Sequence, residues 1–142
     1  MILDTAYLLP LARIGIDADL LEAIAKGQLD LEIEDIAVSL ISIFELQAKA
    51  AKLKIPVKFT IEAVEAIFTA LRVEPFYEPL VIEIGYELKK IIPDYVDCVI
   101  VATAGVLKED LATEDSLILN KKETIEKTYN INILSFKDLV RQ

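Results

Sequence analysis

Residues 94–108 read Asp94-Tyr95-Val96-Asp97-Cys98-Val99-Ile100-Val101-Ala102-Thr103-Ala104-Gly105-Val106-Leu107-Lys108. Val96, Val99, Ile100 and Val101 favour a strand. The length of the stretch, its Ala102-Thr103-Ala104 centre and Asp94 placed as an N-cap favour a buried helix instead. The helical reading decides the fold, because it makes this segment one of the helices that alternate with strands. Upstream, residues 79–91 carry Leu80, Ile84, Leu88 and Ile91 at helical spacing and stop before Pro93. Downstream, residues 110–113 read as a short strand followed by an acid pair. Residues 121–129 read as a polar helix, 131–134 as a final strand and 136–140 as a last helical turn.

The same alternation holds toward the N-terminus. Residues 1–4 read as a short buried strand ending in an acid. Residues 5–14 are apolar and helix-compatible, although Pro10 interrupts them. Residues 17–26 follow as a helix, with Asp17 as N-cap and Gly27 as the stop. Residues 38–43 form a run dense in branched apolar residues, suited to a buried parallel strand. Residues 44–53 read as a helix, and so do residues 60–71, capped by Thr60 with Ile61, Val64, Ile67, Phe68 and Leu71 on one stripe. Residues 73–75 allow a very short strand. This order predicts an α/β fold, a mostly parallel sheet covered by helices on both faces, in a single domain over residues 1–142.

Composition removes several chemistries. The chain has 142 residues, with 15 Lys and Arg against 24 Asp and Glu for a net charge of −9, no histidine and one cysteine. Imidazole general bases, Cys–His dyads and Cys/His zinc sites are therefore excluded, and so is an internal disulfide. The uncharged windows 36–44 and 98–107 are nine and ten residues long, too short for a spanning helix, which needs about 18. The first residues lack a basic n-region, so a cytoplasmic protein without a membrane association is expected. Abundant Ile, Leu, Glu and Lys with few Asn and Gln resemble a thermophile's composition. A pI near 4.5 argues against nucleic-acid binding by the whole surface, but not by a local patch.

The acids carry the functional signal. Asp4 ends the first strand, Glu45 opens the helix after the second, and Asp115 follows the strand at 110–113. Asp97 lies in the first turn of the helix at 94–108. In a parallel sheet all four face one edge, where ligands bind. Carboxylates gathered without a cation repel one another, and a hard divalent ion such as Mg²⁺ or Mn²⁺ removes that penalty. Plainer roles exist: Glu45 and Asp97 as acids favoured by helix dipoles, and Asp115 as a turn residue. Asp94 reads as a cap rather than a ligand, and Glu114 as solvated. The best basic patch is Lys49, Lys52, Lys54 and Lys58, which also reads as a solvated helix face; no aromatic–basic platform stands out.

At these residues the chain resembles the PIN-domain family, especially its VapC-type toxin ribonucleases. The matching pieces are Leu3-Asp4-Thr5 with Leu8-Leu9 behind it, Phe44-Glu45-Leu46, Asp97 through Ala104, and Thr113-Glu114-Asp115, in the family's order. Ala6 stands where a small polar residue is common, and the segment between Asp4 and Glu45 is long. The resemblance implies a three-layer α/β/α sandwich. It implies a Mg²⁺- or Mn²⁺-dependent endoribonuclease with its metal on Asp4, Glu45, Asp97 and Asp115. It further implies an RNA substrate, a homodimer and a cognate antitoxin. On this reading Asp4, Asp97 and Asp115 ligate directly, while Glu45 acts through water or orients the nucleophile. The alternatives are a PIN-like RNA- or protein-binding module without nuclease activity, and a housekeeping RNA-processing nuclease. A haloacid-dehalogenase-like phosphatase needs a second aspartate at position 6, where Ala6 stands, and the strand order suits a response-regulator receiver poorly.

Overall fold

The computed structural model describes residues 1–141; Gln142, the last residue of the expected domain, lies outside the described residues. The strands are β1 (Ile2–Leu3), β2 (Ala37–Ser39), β3 (Arg72–Glu74), β4 (Leu111–Ala112) and β5 (Ile133–Leu134). They form one five-stranded sheet in the order β3-β2-β1-β4-β5. Every pairing is parallel, with Ile2 opposite Ala37 on one side and Leu111 on the other. The helices are α1 (Leu20–Ala25), α2 (Leu40–Lys52), α3 (Val57–Ala70), α4 (Pro79–Leu88), α5 (Tyr95–Leu107), α6 (Ser116–Leu119), α7 (Lys122–Tyr129) and α8 (Phe136–Val140), with 3-10 helices at Thr5–Ala12 and Ile33–Asp35.

Strand side chains alternate between the two faces, and this divides the core. Ile2, Ala37, Leu111 and Ile133 pack with α4, α5 and α7. Leu3, Val38 and Ala112 pack with the first 3-10 helix, α1, α2 and α3. The result is the expected three-layer α/β/α sandwich. All residues of β1, β2 and β4 are buried, as a parallel sheet covered on both faces requires. The chain lays β2 and β3 on one side of β1, then crosses through α4 and α5 to lay β4 on the other. The direction of winding therefore reverses at β1, which opens a crevice at the carboxyl ends of β1 and β4.

The stretch at 94–108 is the expected helix. Asp94 accepts a hydrogen bond from Val96 N at 2.8 Å, and Lys108 closes α5 in the left-handed region at φ 55°. Elsewhere the structure corrects the sequence reading. The strand expected at 38–43 ends at Ser39, whose hydroxyl accepts from Ile41 N at 3.3 Å and starts α2. The cause lies in where this first turn sits. Ile41 packs into the core on one face of the sheet and Ile43 into the other, with Ser42 buried between them, so the turn is enclosed on both faces and lacks a helical period. Glu45 consequently lies in the second turn of α2, not at its start.

Asp19, not Asp17, caps α1, accepting from Glu22 N at 3.0 Å. Helix α3 begins after Pro56 and is not capped by Thr60. Its expected stripe also splits, because Ile67 and Leu71 are buried while Ile61 and Phe68 are 52% and 56% exposed. The segment at 5–14 is a 3-10 helix that tolerates Pro10 and ends at Arg13 with φ 65°. Helix α6 follows Asp115 as an additional short element.

Candidate active site

The four acids singled out by sequence line one cleft of about 350 Å³ at the carboxyl edge of the sheet, together with Thr5, Ala6, Leu9, Lys49 and Glu114. Each arrives on a different element. Asp4 follows β1, Glu45 projects from α2, Asp97 from the first turn of α5, and Asp115 from the turn after β4. Asp94 sits beside them as the α5 cap, as the sequence implies.

Asp4 is the buried member, 7% exposed. Its Oδ1 accepts from Thr5 N at 2.8 Å and its Oδ2 from the Thr113 hydroxyl at 2.6 Å. Thr113 Oγ1 in turn accepts from Asp115 N at 3.0 Å, so one buried hydroxyl joins the ends of β1 and β4. Asp115 Oδ1 accepts from Leu117 N and Ile118 N at 2.8 and 3.1 Å, which makes Asp115 the cap of α6 while it also lines the cleft. Glu45 Oε1 accepts from the Thr5 hydroxyl at 2.5 Å, which lies 2.9 Å from Ser42 Oγ.

Sequence reading missed the supporting roles of Thr5 and Ser42 and the bond from Thr113 to Asp4, although it allows Thr113 a local hydrogen bond at Asp115. It also misplaced Glu114. Although exposed as a residue, Glu114 lines the same cleft and is tied down: its Oε2 accepts from the buried Tyr7 hydroxyl at 2.8 Å and from Phe136 N at 3.0 Å. Burial, followed by the Glu114 carboxylate, pushes the Tyr7 phenol above its ordinary value, so it remains a donor. Only the identity of Thr113, two residues before Asp115 and next to an expected strand end, offered a signal for these contacts.

The electrostatics are those of uncompensated charge. Burial pushes the Asp97 carboxyl up to about 7, and Asp4, Asp115, Asp94 and Glu45 add to the rise. Burial also raises Asp4, against the pull of the Thr113 and Thr5 hydrogen bonds, and Asp115 and Asp94 raise it further. Glu45 is raised by burial and by Asp4 and Asp94, against its bond from Thr5. Among the described residues no ion pair includes any of the four acids. The donors are all carboxylate oxygens, a set that fits a hard divalent cation. Among the described residues no three acids stand in a ready-made coordination arrangement; hydrogen bonds from hydroxyls and backbone hold Asp4, Glu45 and Asp115 instead.

An all-parallel α/β sandwich with carboxylates converging at its switch point defines a class of acid-cleft α/β proteins. Within that class the assignment is direct: the PIN domain family model matches residues 1–123, and the chain belongs to the PIN-domain family. No curated protein matches the chain by sequence. Among solved structures, FitAcB from Neisseria gonorrhoeae superposes with a TM-score of 0.64 at 21% identity, covering 97% of this chain and 99% of that one. A toxin–antitoxin complex from Klebsiella pneumoniae superposes with a TM-score of 0.58 at 20% identity, covering 81% of this chain and 86% of that one. At these identities the likeness is one of fold.

Proposed function

We propose that this protein is a divalent-metal-dependent endoribonuclease and the toxin of a type II toxin–antitoxin pair. The observation that carries the reading is the cleft itself. Asp4, Glu45, Asp97 and Asp115 converge there from four elements without a paired cation, and burial with mutual repulsion raises three of them. Four such acids are costly to a fold unless a bound charge uses them.

Asp4, Asp97 and Asp115 would hold Mg²⁺ or Mn²⁺, which when bound supplies Lewis acidity to a phosphodiester and acidifies a water. Thr113 keeps the Asp4 carboxylate turned toward the cleft. Thr5 does the same for Glu45, which is placed to orient the attacking water or accept its proton. Asp115 is held by the Leu117 and Ile118 N–H groups of α6, so its carboxylate keeps a fixed orientation. The buried Tyr7–Glu114 pair keeps the Glu114 charge tethered beside the cleft. RNA is the expected substrate.

An antitoxin partner draws support from the toxin–antitoxin complex among the similar folds. It is also supported by an apolar groove between α2 and α3, where Phe44, Val57 and Ile61 are 66%, 72% and 52% exposed. We further read residues 1–142 as one domain, a homodimer, and cytoplasmic. No described helix is long and apolar enough to cross a membrane.

The test is cleavage of RNA by purified protein with Mn²⁺, against EDTA and Asp4→Asn controls. Cleavage that requires the metal and is lost in the variant is the expected result. Metal-independent cleavage, or equal activity in Asp4→Asn, overturns the nuclease reading. Absence of both cleavage and any metal-induced rise in Tm would favour the non-cleaving PIN-like module.

A further inference from the structure

Positive charge in this acidic protein is unevenly placed. Residues 46–61 contain Lys49, Lys52, Lys54 and Lys58 and none of the chain's 24 acids. All four lysines are exposed, and none forms an ion pair among the described residues. Lys49 lies on the wall of the acid cleft, one helical turn beyond Glu45. The opposite wall is the 3-10 helix that carries Thr5, Ala6 and Leu9, and it ends at Arg13, about 8 Å beyond Leu9 at the 3-10 rise of ~2.0 Å per residue. Outside the cleft the end of this 3-10 helix meets α3: the Arg13 guanidinium lies 3.9 Å from the centre of the Phe59 ring, and Lys58 Nζ lies 5.0 Å from it.

Helix dipoles explain part of this arrangement. Lys49 and Lys52 occupy the last turn of α2, where cations are favoured. Lys58 occupies the first turn of α3, where a cation is disfavoured, and Lys54 lies between the helices. Arg13 is held against an aromatic face rather than by a carboxylate. These three positions call for an external anion.

We propose that Arg13, Lys49, Lys52, Lys54 and Lys58 form an arc that binds the phosphate backbone of a single RNA strand and leads it into the acid cleft. The proposal rests on the nuclease reading for its direction. Phe59 fixes the Arg13 guanidinium, so the arc contains one pre-ordered cation beside four exposed lysines. The cations also offset the repulsion that a cleft of four acids exerts on an incoming polyanion.

The test is fluorescence anisotropy of a labelled single-stranded oligouridine with the full chain in EDTA, across a salt series. Lys52→Glu/Lys58→Glu is compared with Lys90→Glu/Lys127→Glu, which changes the net charge equally elsewhere on the surface; thermal melts confirm that both fold. The arc variant is expected to bind at least ~10-fold more weakly, with a salt slope shallower by about 1.4, from ~0.7 per single-strand phosphate contact. The control pair is expected to stay within about twofold of the unsubstituted protein. Arg13→Ala and Phe59→Ala are expected to weaken binding alike, since the ring holds the guanidinium.

Equal binding by the arc variant overturns the proposal, and so does equal weakening by the control. Tighter binding of polyglutamate than of RNA would overturn it in favour of an acidic protein segment. No metal and no cleavage enter this measurement, so failure of the nuclease reading would leave its outcome standing.

Discussion

The two edges of the sheet treat acids in opposite ways. At the amino edge, Glu109 precedes β4 and Arg72 opens β3; Arg72 Nη2 lies 2.6 Å from Glu109 Oε1 and its Nη1 3.2 Å from Glu74 Oε1. Partial burial acts to raise the Glu109 carboxyl, but Arg72 and the Met1 ammonium, 2.7 Å from the same oxygen, together outweigh it and hold the group below its ordinary value. Beside it, Asp110 Oδ1 accepts from Asn132 N at 2.9 Å. At the carboxyl edge, only β1 to β4 away, Asp4, Glu45 and Asp97 are raised and unpaired. One fold thus contains acids that stabilise it and acids that oppose it, and the second group surrounds the cleft. The contrast argues that the carboxyl-edge charges are retained for a ligand rather than for stability.

The largest effect that would break this contrast is expected from Asp97→Asn. RNA cleavage should fall at least ~100-fold, in the range of losing a group that stabilises transition-state charge. Stability should move the other way. A folded-state value near 7, against an ordinary 3.8, means that the metal-free native state holds its proton longer than the unfolded chain. Stability is therefore lost as pH rises from about 4 to 7, with the full penalty above 7. Melting curves should show Asp97→Asn more stable than the unsubstituted protein at pH 8, and the two converging toward pH 4.

The second effect is cation binding. At a hundredfold excess over its dissociation constant, Mn²⁺ should stabilise the protein by ~2.7 kcal/mol, roughly 5–11 °C in Tm. The rise should shrink in Asp97→Asn. Next comes Thr113→Val, which removes the hydroxyl from Asp4 and Asp115 at once. Metal affinity by calorimetry, and cleavage, should each fall about 10- to 100-fold.

The smallest effect belongs to the amino edge. Glu109→Gln should cost about 1–2 kcal/mol, because Arg72 is partly exposed but the Met1 ammonium also loses its carboxylate. Its pH dependence should have the opposite sign. A depressed carboxyl contributes above the ordinary value near 4.5, and that contribution disappears as pH falls below it. Cleavage should be unchanged by this substitution.

Much of this arrangement is legible in the sequence because it is local. The helix at 94–108 is betrayed by its length and its cap, and the acids are betrayed by their position after strands. What is not legible depends on distant partners. The first turn of α2 looks like strand because its neighbours lie on both faces of the sheet, which erases the helical period. Ile61 and Phe68 fit a core stripe by spacing alone, but α3 turns only Ala63 and Ile67 fully inward. Two aspartates precede α1, and spacing does not separate the one that caps it. Thr113 looks like an ordinary strand-end residue until the fold brings it to Asp4, 109 positions earlier.

That separation bears on how the protein is made. The first strand, Ile2–Leu3, cannot gain its β4 neighbour until Leu111 and Ala112 have been synthesised. At roughly 5–20 residues per second, the ribosome adds those residues about 5–20 s after Asp4. Until then Asp4 lacks Thr113 and Asp115, and a product truncated before β4 would have no closed cleft. On the nuclease reading, a chain assembled in this order gains its complete cleft only after β4 has been made.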